Sequence, residues 1–552
     1  MTSPSEPISQ KNQLWRTPEM AVIFLITAAY VIWLLSLPAF PTQDGPIHLY
    51  YTHVLKALFS GHASVYAGFY RVKHLLPPYA LYYYALLGLA HFVPLLDADK
   101  IIVCVYFVSF VFGFRYLARA LGPNADVMTL LATLVLLNWP LGMGFVNFCL
   151  SLSFAFWGIG LWLRFAGEKG VGRRVLFVAL AVVVMFTHPV PLLAMLGVAA
   201  LELGWRVVQR RRAWRSLPCL AADFFTLFAA GCTLAYVKLF TASRPLQQTA
   251  VEYQSESPLA LIAHNAINYA VEKGVAFLIG PGLGLRAYRV ILLLAVLIPL
   301  SVAVYQTISR SRRGSWTQAD RVLVLAVASI VVLPFVPHDL NGSHFFAERL
   351  LLVVWILPMF AASGGSGWTR RARFAAIGFV VIGQMIILSL ANAKLRPVAS
   401  VIAAVDNAPG QIAAKPGEVG LLLEDDRPTA VESGLSFSPY LWGAVNVLRH
   451  DDAVMANTPW LDLAIIPLGA GPKLPIEQLK PAELEFPSIL RGDLMAEPAV
   501  RAHLLSSVDF VLIQQAYRPE GQDVDPLLAE SHATWSCRTP EPKWVRVCRP
   551  DR

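Results

Sequence analysis

The stretch MAVIFLITAAYVIWLLSLPAFPTQDGPIH, residues 20–48, runs for 21 uncharged residues from Met20 to Phe40 and then reaches Asp44 and His48. A hydrocarbon core takes roughly 20 helical residues to cross, so residues 20–40 form one span. The run is too long for a signal-peptide core and ends without a small-x-small cleavage pattern, so it stays as an anchor. Uncharged runs recur at 101–114, 127–163, 175–201, 290–309, 322–337, 350–369 and 374–393. The runs at 127–163 and 175–201 are each long enough for a helical hairpin. Residues 75–96 carry only His91 and residues 217–237 only Asp223. The total is about 11 or 12 spans.

The bulk composition agrees. Of the 552 residues 56% are hydrophobic and 15% charged, and the mean hydropathy is +0.54. Soluble domains carry about 25% charged residues, so a soluble globule, a disordered chain and a collagen-like fibre are all excluded. The fold class is therefore mainly α: a polytopic transmembrane helix bundle followed by a small α/β domain. Residues 395–552 hold scattered acids, many prolines and no run of spanning length. Strand-like runs at 419–423 and 508–513, the latter after an expected helix at 497–506, read as α/β. No Gly-rich phosphate loop, zinc spacing or Ser-centred elbow occurs in that tail.

Basic residues set the orientation. Arg164, Lys169, Arg173 and Arg174 form one cluster; Arg206, Arg210, Arg211, Arg212 and Arg215 a second; Arg310, Arg312, Arg313 and Arg321 a third; and Arg370, Arg371 and Arg373 a fourth. Such clusters mark cytoplasmic loops. They also account for the net charge of +9, so no nucleic-acid partner is implied. The reading is then a cytoplasmic tail at 1–19, a helical membrane domain at 20–394 with outer loops 41–78, 241–287 and 338–349, and an extracytoplasmic domain at 395–552. One parity conflict remains, since the runs from residue 75 to 393 give eleven crossings where an even number is needed. Either 75–96 is a re-entrant or surface helix, or 175–201 is a single helix broken at His188-Pro189.

Cys104, Cys149, Cys219 and Cys232 lie in apolar spans and read as small buried hydrophobes. Cys537 and Cys548 flank SCRTPEPKWVRVCRP and suit a disulfide-closed hairpin, which persists only in an oxidising compartment.

Polar residues near the membrane boundary point to chemistry, because ionisable groups there are costly and usually functional. Asp44 follows the first span within FPTQDGPIH, where prolines and Gly45 end the helix and fix a turn. A carboxylate beside an apolar boundary is suited to take a proton from a substrate hydroxyl; the alternative is an Asp that caps the next helix. His48 shares its face if that helix begins at Pro46. Tyr82 to Tyr84 follow Pro77-Pro78-Tyr79 and read as an interfacial aromatic belt. His188, in THPVP, sits at a proline-broken helix and is either satisfied by the freed backbone groups or part of a cavity wall. In PHDLNGSHFFAERL, residues 337–350, Arg349 stands at the outer end of a span against the positive-inside trend. Its anionic partner is Glu348, Asp339 or a lipid phosphate held in the guanidinium fork. His338 lies in the same segment.

An acid just past the first span, a Pro-Pro-aromatic start to the next, a histidine at a break in a middle span and a late outer arginine together resemble the GT-C superfamily of membrane glycosyltransferases, which includes protein O-mannosyltransferases and lipid A aminoarabinose transferases. The likeness covers residues 20–393 as an architecture. It implies transfer of a sugar from a polyprenyl-phosphate donor to a lipid, glycan or protein acceptor on the outer face of a bacterial cytoplasmic membrane. Asp44 would then be the catalytic base or orient the acceptor, Arg349 would bind the donor phosphate, and His188, His338 and His48 would line the cavity. Many members carry paired acids in the first loop, whereas Gln43-Asp44-Gly45 offers one, a poor site for a divalent metal; no cofactor is implied. Two other classes stay open: a transporter or lipid flippase, and a non-catalytic assembly protein.

Overall fold

The structure is a computed structural model that describes residues 17–42, 44–60, 70–72, 75–166, 170–209, 217–242, 286–312, 316–332, 346–364, 368–407, 418–424, 453–455, 465–467, 510–514, 534–538 and 545–551. The helices are α1 (Pro18–Leu35), α2 (Gly45–Phe59), α3 (Ala80–Leu89), α4 (Leu95–Leu121), α5 (Ala125–Ala132), α6 (Trp139–Gly142), α7 (Val146–Phe165), α8 (Val171–Thr187), α9 (Pro189–Gln209), α10 (Leu217–Ala242), α11 (Arg286–Ser311), α12 (Gln318–Val332), α13 (Phe346–Ser363) and α14 (Arg370–Asn407). The strands are β1 (Tyr70–Val72), β2 (Glu418–Glu424), β3 (Ala453–Met455), β4 (Ile465–Pro467), β5 (Phe510–Gln514), β6 (Trp535–Arg538) and β7 (Val545–Pro550). Among the described residues, eight helices are long and apolar enough to cross a membrane. The chain is an integral membrane protein.

The 75–96 run yields only one short helix, α3. Only 10 residues long, it reaches about 15 Å at 1.5 Å per residue, half a hydrocarbon core. The run at 175–201 does break at His188, but into two full helices, α8 and α9. Among the described residues after α3, the segments long and apolar enough to cross are α4, the α5–α6 stretch, α7, α9, α10, α11 and α14, with α13 apolar but shorter. The last, α14, continues through Pro397 to Asn407, past residue 394, where the charge pattern places the domain boundary.

Two compact units divide the chain. The first comprises residues 1–33, 103–141 and 145–390. Its core is aromatic, with Phe114 stacked on Phe360 at 4.2 Å and Phe110 and Phe156 packed edge-on beside them. Polar cross-links join distant helices: the Tyr30 hydroxyl donates to Gln384 Oε1 (2.6 Å), and Gln384 Nε2 donates to the Thr133 hydroxyl (2.9 Å). On α10, Phe224, Phe225 and Phe228 are exposed while Asp223 is fully buried, the reverse of a water-soluble helix and the pattern expected where the solvent is lipid. Arg174 Nη2 and Arg206 Nη1 donate to the two oxygens of Asp223 at 2.8 and 2.7 Å. Glu202 pairs with Arg321, so the ionic network ties α8, α9, α10 and α12. The apolar-span cysteines are not uniformly buried: Cys149 is, but Cys104 and Cys219 are partly exposed and Cys232 is exposed, because their helices face lipid there.

The second unit comprises residues 34–102, 142–144 and 391–552. Its main sheet has the order β3-β2-β5-β7-β6. The β2 strand runs parallel to β3 and β5, whereas β7 is antiparallel to β5 and β6. The parallel core pair, β2 and β5, coincides with the two apolar runs legible in the tail. Cys537 and Cys548 face each other across β6 and β7 and are joined by a disulfide. The expected helix at 497–506 lies outside the described residues. The pairing of β1 with β4, with Arg71 opposite Ile466, joins the loop after α2 to the C-terminal region; the tail is therefore not packed by itself. The start of α4 is tied in as well, since Lys100 Nζ donates to the Leu37 carbonyl (2.8 Å) and the Tyr82 hydroxyl to Asp99 (3.0 Å).

Replacing Asp223 with Ala leaves two buried guanidinium groups facing each other, and we expect it to lower stability by about 3–5 kcal/mol. Exposed Phe225→Leu should change it by less than about 0.5 kcal/mol. Thermal unfolding of the two purified variants in detergent checks the contrast.

Candidate active-site residues

In the second unit the site is built around the turn into α2. Asp44 occupies the N-cap position (φ −91°, ψ −4°), yet its side chain makes no capping hydrogen bond. Thr42 does that work, its hydroxyl accepting from Gly45 N–H at 3.1 Å. The helix-capping alternative for Asp44 therefore fails, and its half-buried carboxylate is spared from the helix end. The backbone holds the residue instead: Asp44 N–H donates to the Met143 carbonyl (3.0 Å) and the Asp44 carbonyl accepts from His48 N–H (3.2 Å). Gly144 closes against the same turn with φ +90°. A Cβ there would stand 2.8 Å from Asp44 N and 2.9 Å from Gly45 N, and both neighbours are backbone that cannot swing aside.

His48 lies one turn along α2, as the spacing predicts. Its Nδ1 shares a 2.7 Å hydrogen bond with the Tyr83 hydroxyl, and the Tyr83 ring packs on Tyr51 at 4.5 Å. Burial, reinforced by Tyr51, Tyr79 and Asp44, holds the Tyr83 phenol well above its ordinary range, so it stays protonated. Tyr82 and Tyr83 are buried in this cluster rather than forming an interfacial belt. Before α3, Ala80 N–H donates to the Pro77 carbonyl (3.0 Å), and Tyr79 has φ 78° and ψ −3°. That is a type II turn with Pro at its second position and Tyr at the third, where glycine is favoured. A side chain in this left-handed region costs about 1–2 kcal/mol; Tyr79 is the one non-glycine residue with positive φ among the described residues.

In the first unit, His188 ends α8 in an extended conformation and is 1% exposed. The Ser151 hydroxyl donates to the His188 carbonyl (2.8 Å) and to the Val184 carbonyl (3.0 Å), which also accepts from His188 N–H (2.8 Å). The His188 Nδ1 accepts from Val190 N–H (3.2 Å), and its Nε2 stands 3.0 Å from Arg349 Nη1. A neutral imidazole accepts at one nitrogen only, so the amide and the guanidinium compete for it. His188 is buried between the helix break and Arg349. Arg349 lies in the first turn of α13 with its Cζ 4.0 Å over the Phe145 ring. A cation there opposes the helix dipole, and it adds to the positive end rather than cancelling it. The arrangement suits an anion. His338, Asp339 and the side chain of Glu348 lie outside the described residues. Among the described residues, no group of three or more His, Cys, Asp or Glu side chains is placed to hold a metal.

Tyr83, Gly144 and Phe145 are members of these clusters that the sequence did not single out. The four-residue spacing of Tyr79 and Tyr83 and the glycines in Trp139-Pro-Leu-Gly-Met-Gly144 were the available signals.

The apolar bundle and the mixed C-terminal sheet define a polytopic helical membrane protein, and solved structures share this fold. ArnT from Cupriavidus metallidurans, solved bound to undecaprenyl phosphate, is 13% identical and matches with a TM-score of 0.53 over 97% of this chain and 99% of that one. Its apo state is 16% identical, with a TM-score of 0.42 over 97% and 99%. Arabinofuranosyltransferase AftD from Mycobacteria is 12% identical, with a TM-score of 0.49 over 96% of this chain and 39% of its own. No protein-family model matches the chain, and neither does any curated protein sequence. At these identities the likeness is one of fold.

Gly144→Ala adds a Cβ against the Asp44 backbone at a positive φ. We expect a stability loss of about 1–3 kcal/mol, readable by thermal unfolding, whereas Gly88→Ala, with open space at its Cβ, should be neutral or stabilising.

Proposed function

We propose that the chain is a membrane glycosyltransferase that moves one sugar from a polyprenyl-phosphate donor to a lipid, glycan or protein acceptor on the outer face of the membrane. The observation that carries this reading is the Asp44 carboxylate, fixed through its backbone at the mouth of α2 while the capping role falls to Thr42. The whole-chain likeness to ArnT, whose structure holds undecaprenyl phosphate, favours a polyprenyl-phosphate donor.

In this reading Asp44 takes the proton from the acceptor hydroxyl as that oxygen bonds to the anomeric carbon. The bond from that carbon to the phosphate oxygen breaks, and polyprenyl phosphate leaves with the electron pair. Attack opposite to the leaving group inverts the anomeric centre. Arg349 neutralises the phosphate charge, with Phe145 beneath its guanidinium and His188 beside it as positioning residues. His48, held by Tyr83, belongs to the Asp44 side of the chemistry. His338 is kept as a cavity residue on its sequence position alone. No resident metal is assigned, since a lone carboxylate gives too few hard ligands.

The four arginine clusters support placing the loops that carry them on one side and the 41–78 loop and residues 395–552 on the other. By that rule the arginine side is the cytoplasm, the membrane is the bacterial cytoplasmic membrane, and the C-terminal domain is extracytoplasmic. Its role is to cover the reaction centre or select the acceptor.

Asp44→Asn should cut transfer from a polyprenyl-phosphate sugar by about 100-fold or more with the unfolding midpoint unchanged, and full activity in that variant would overturn the assignment. Arg349→Ala should raise the donor KM or abolish donor binding; unchanged donor affinity would remove the phosphate contact.

A further inference from the structure

We infer that Tyr79 is the aromatic platform on which a sugar ring rests beside Asp44, a ligand contact that builds on the glycosyl-transfer reading above. Asp44, His48 and Tyr51 stand at i, i+4 and i+7 along the start of α2 and so share one face. Tyr79 immediately precedes α3, and it and Asp44 both lie near enough to Tyr83 of that helix to act on its phenol electrostatically. The two helices meet, because Tyr83 bonds His48 at 2.7 Å and packs on Tyr51 at 4.5 Å. Tyr51, Tyr82 and Tyr83 are buried and form the back of the cluster. The half-buried members, able to touch a ligand, are Asp44, His48 and Tyr79.

A carboxylate, an imidazole and a phenol ring suit a molecule with a rim of hydroxyls and an apolar face. A sugar is such a molecule: its axial C–H bonds present weakly positive hydrogens, and the face of an aromatic ring is negative. The backbone adds an independent reason to single out Tyr79. It occupies the turn position that glycine fills at no steric cost. The surroundings hold it there, with Pro77 and Pro78 buried and the Tyr84 hydroxyl donating to the Leu75 carbonyl across the same turn. Strain retained at a fixed, partly open position is accounted for when the side chain presented there has a task.

The test uses the full chain in detergent, with Tyr79→Gly and Tyr79→Phe. Glycine relieves the turn and removes the ring; phenylalanine keeps the ring and removes the hydroxyl. Both variants should unfold within a few degrees of the parent, with glycine no worse than phenylalanine. The probes are undecaprenyl phosphate and polyprenyl-phosphate glucose, mannose and arabinose. If a donor sugar sits on Tyr79, the extra affinity of the best sugar-bearing probe over undecaprenyl phosphate should fall by about tenfold in Tyr79→Gly and persist in Tyr79→Phe. If an acceptor sugar sits there, that increment is unchanged and the acceptor KM rises instead. Both quantities unchanged in a folded Tyr79→Gly overturn the platform while the transferase reading stands. A parent protein that binds none of the four probes and transfers no sugar overturns both.

Discussion

Asp223 accepting from Arg174 and Arg206, while its neighbours on α10 turn three phenylalanines outward, expresses the constraint that governs this molecule. A lipid solvent offers no hydrogen bonds, so polar groups within the bundle must find partners inside the protein. The same rule accounts for the Tyr30–Gln384–Thr133 chain and for Ser151, whose hydroxyl donates to two carbonyls at the end of α8. Apolar burial cannot assemble such helices, since lipid is as apolar as the core. Packing of aromatic rings and these polar links supply the specificity.

Against this rule, a group that declines the local partner open to it is informative. Asp44 stands where an aspartate ordinarily caps a helix, yet Thr42 serves the helix end instead. Arg349 stands in the first turn of α13, where the helix dipole gives a cation no help, and shares His188 with a backbone amide. The Arg349 cation sits at a cost to its helix. That pattern fits groups selected for charge in a reaction rather than for stability.

Much of the architecture was legible because spans obey one simple period-independent rule, length without charge. The helices α1, α4, α7 and α10 fall on the uncharged runs, and β2 and β5 fall on the two apolar runs of the tail. What escaped was decided by long-range packing. The run at 75–96 is apolar enough to cross, but Pro77 and Pro78 delay α3 to Ala80 and it stops at Leu89, so composition overstated its length. The last helix, α14, runs past the boundary at residue 394 and through Pro397 to Asn407, as a proline can be carried within a long membrane helix. The pairing of β1 with β4 joins segments almost 400 residues apart, and three-residue strands leave little trace in sequence. For the site, Asp44, His48, His188 and Arg349 were visible as ionisable groups in an apolar chain. Tyr83 and Gly144 were not, because their importance lies in a cross-helix contact and a backbone approach.

The β1–β4 pairing and the bond from Lys100 to the Leu37 carbonyl bear on how the Asp44 turn is held. A short loop after a first span has little surface to bury and, left alone, frays. Here residues 34–102 are gathered into one compact unit with the C-terminal region, and α2 and α3 pack through His48, Tyr51, Tyr82 and Tyr83. Met143 and Gly144 reach the Asp44 backbone from a different part of the chain. The Asp44 backbone is therefore held by segments far apart in sequence. A group that is to act on a ligand must be held in position, and backbone support from separate segments does that for Asp44.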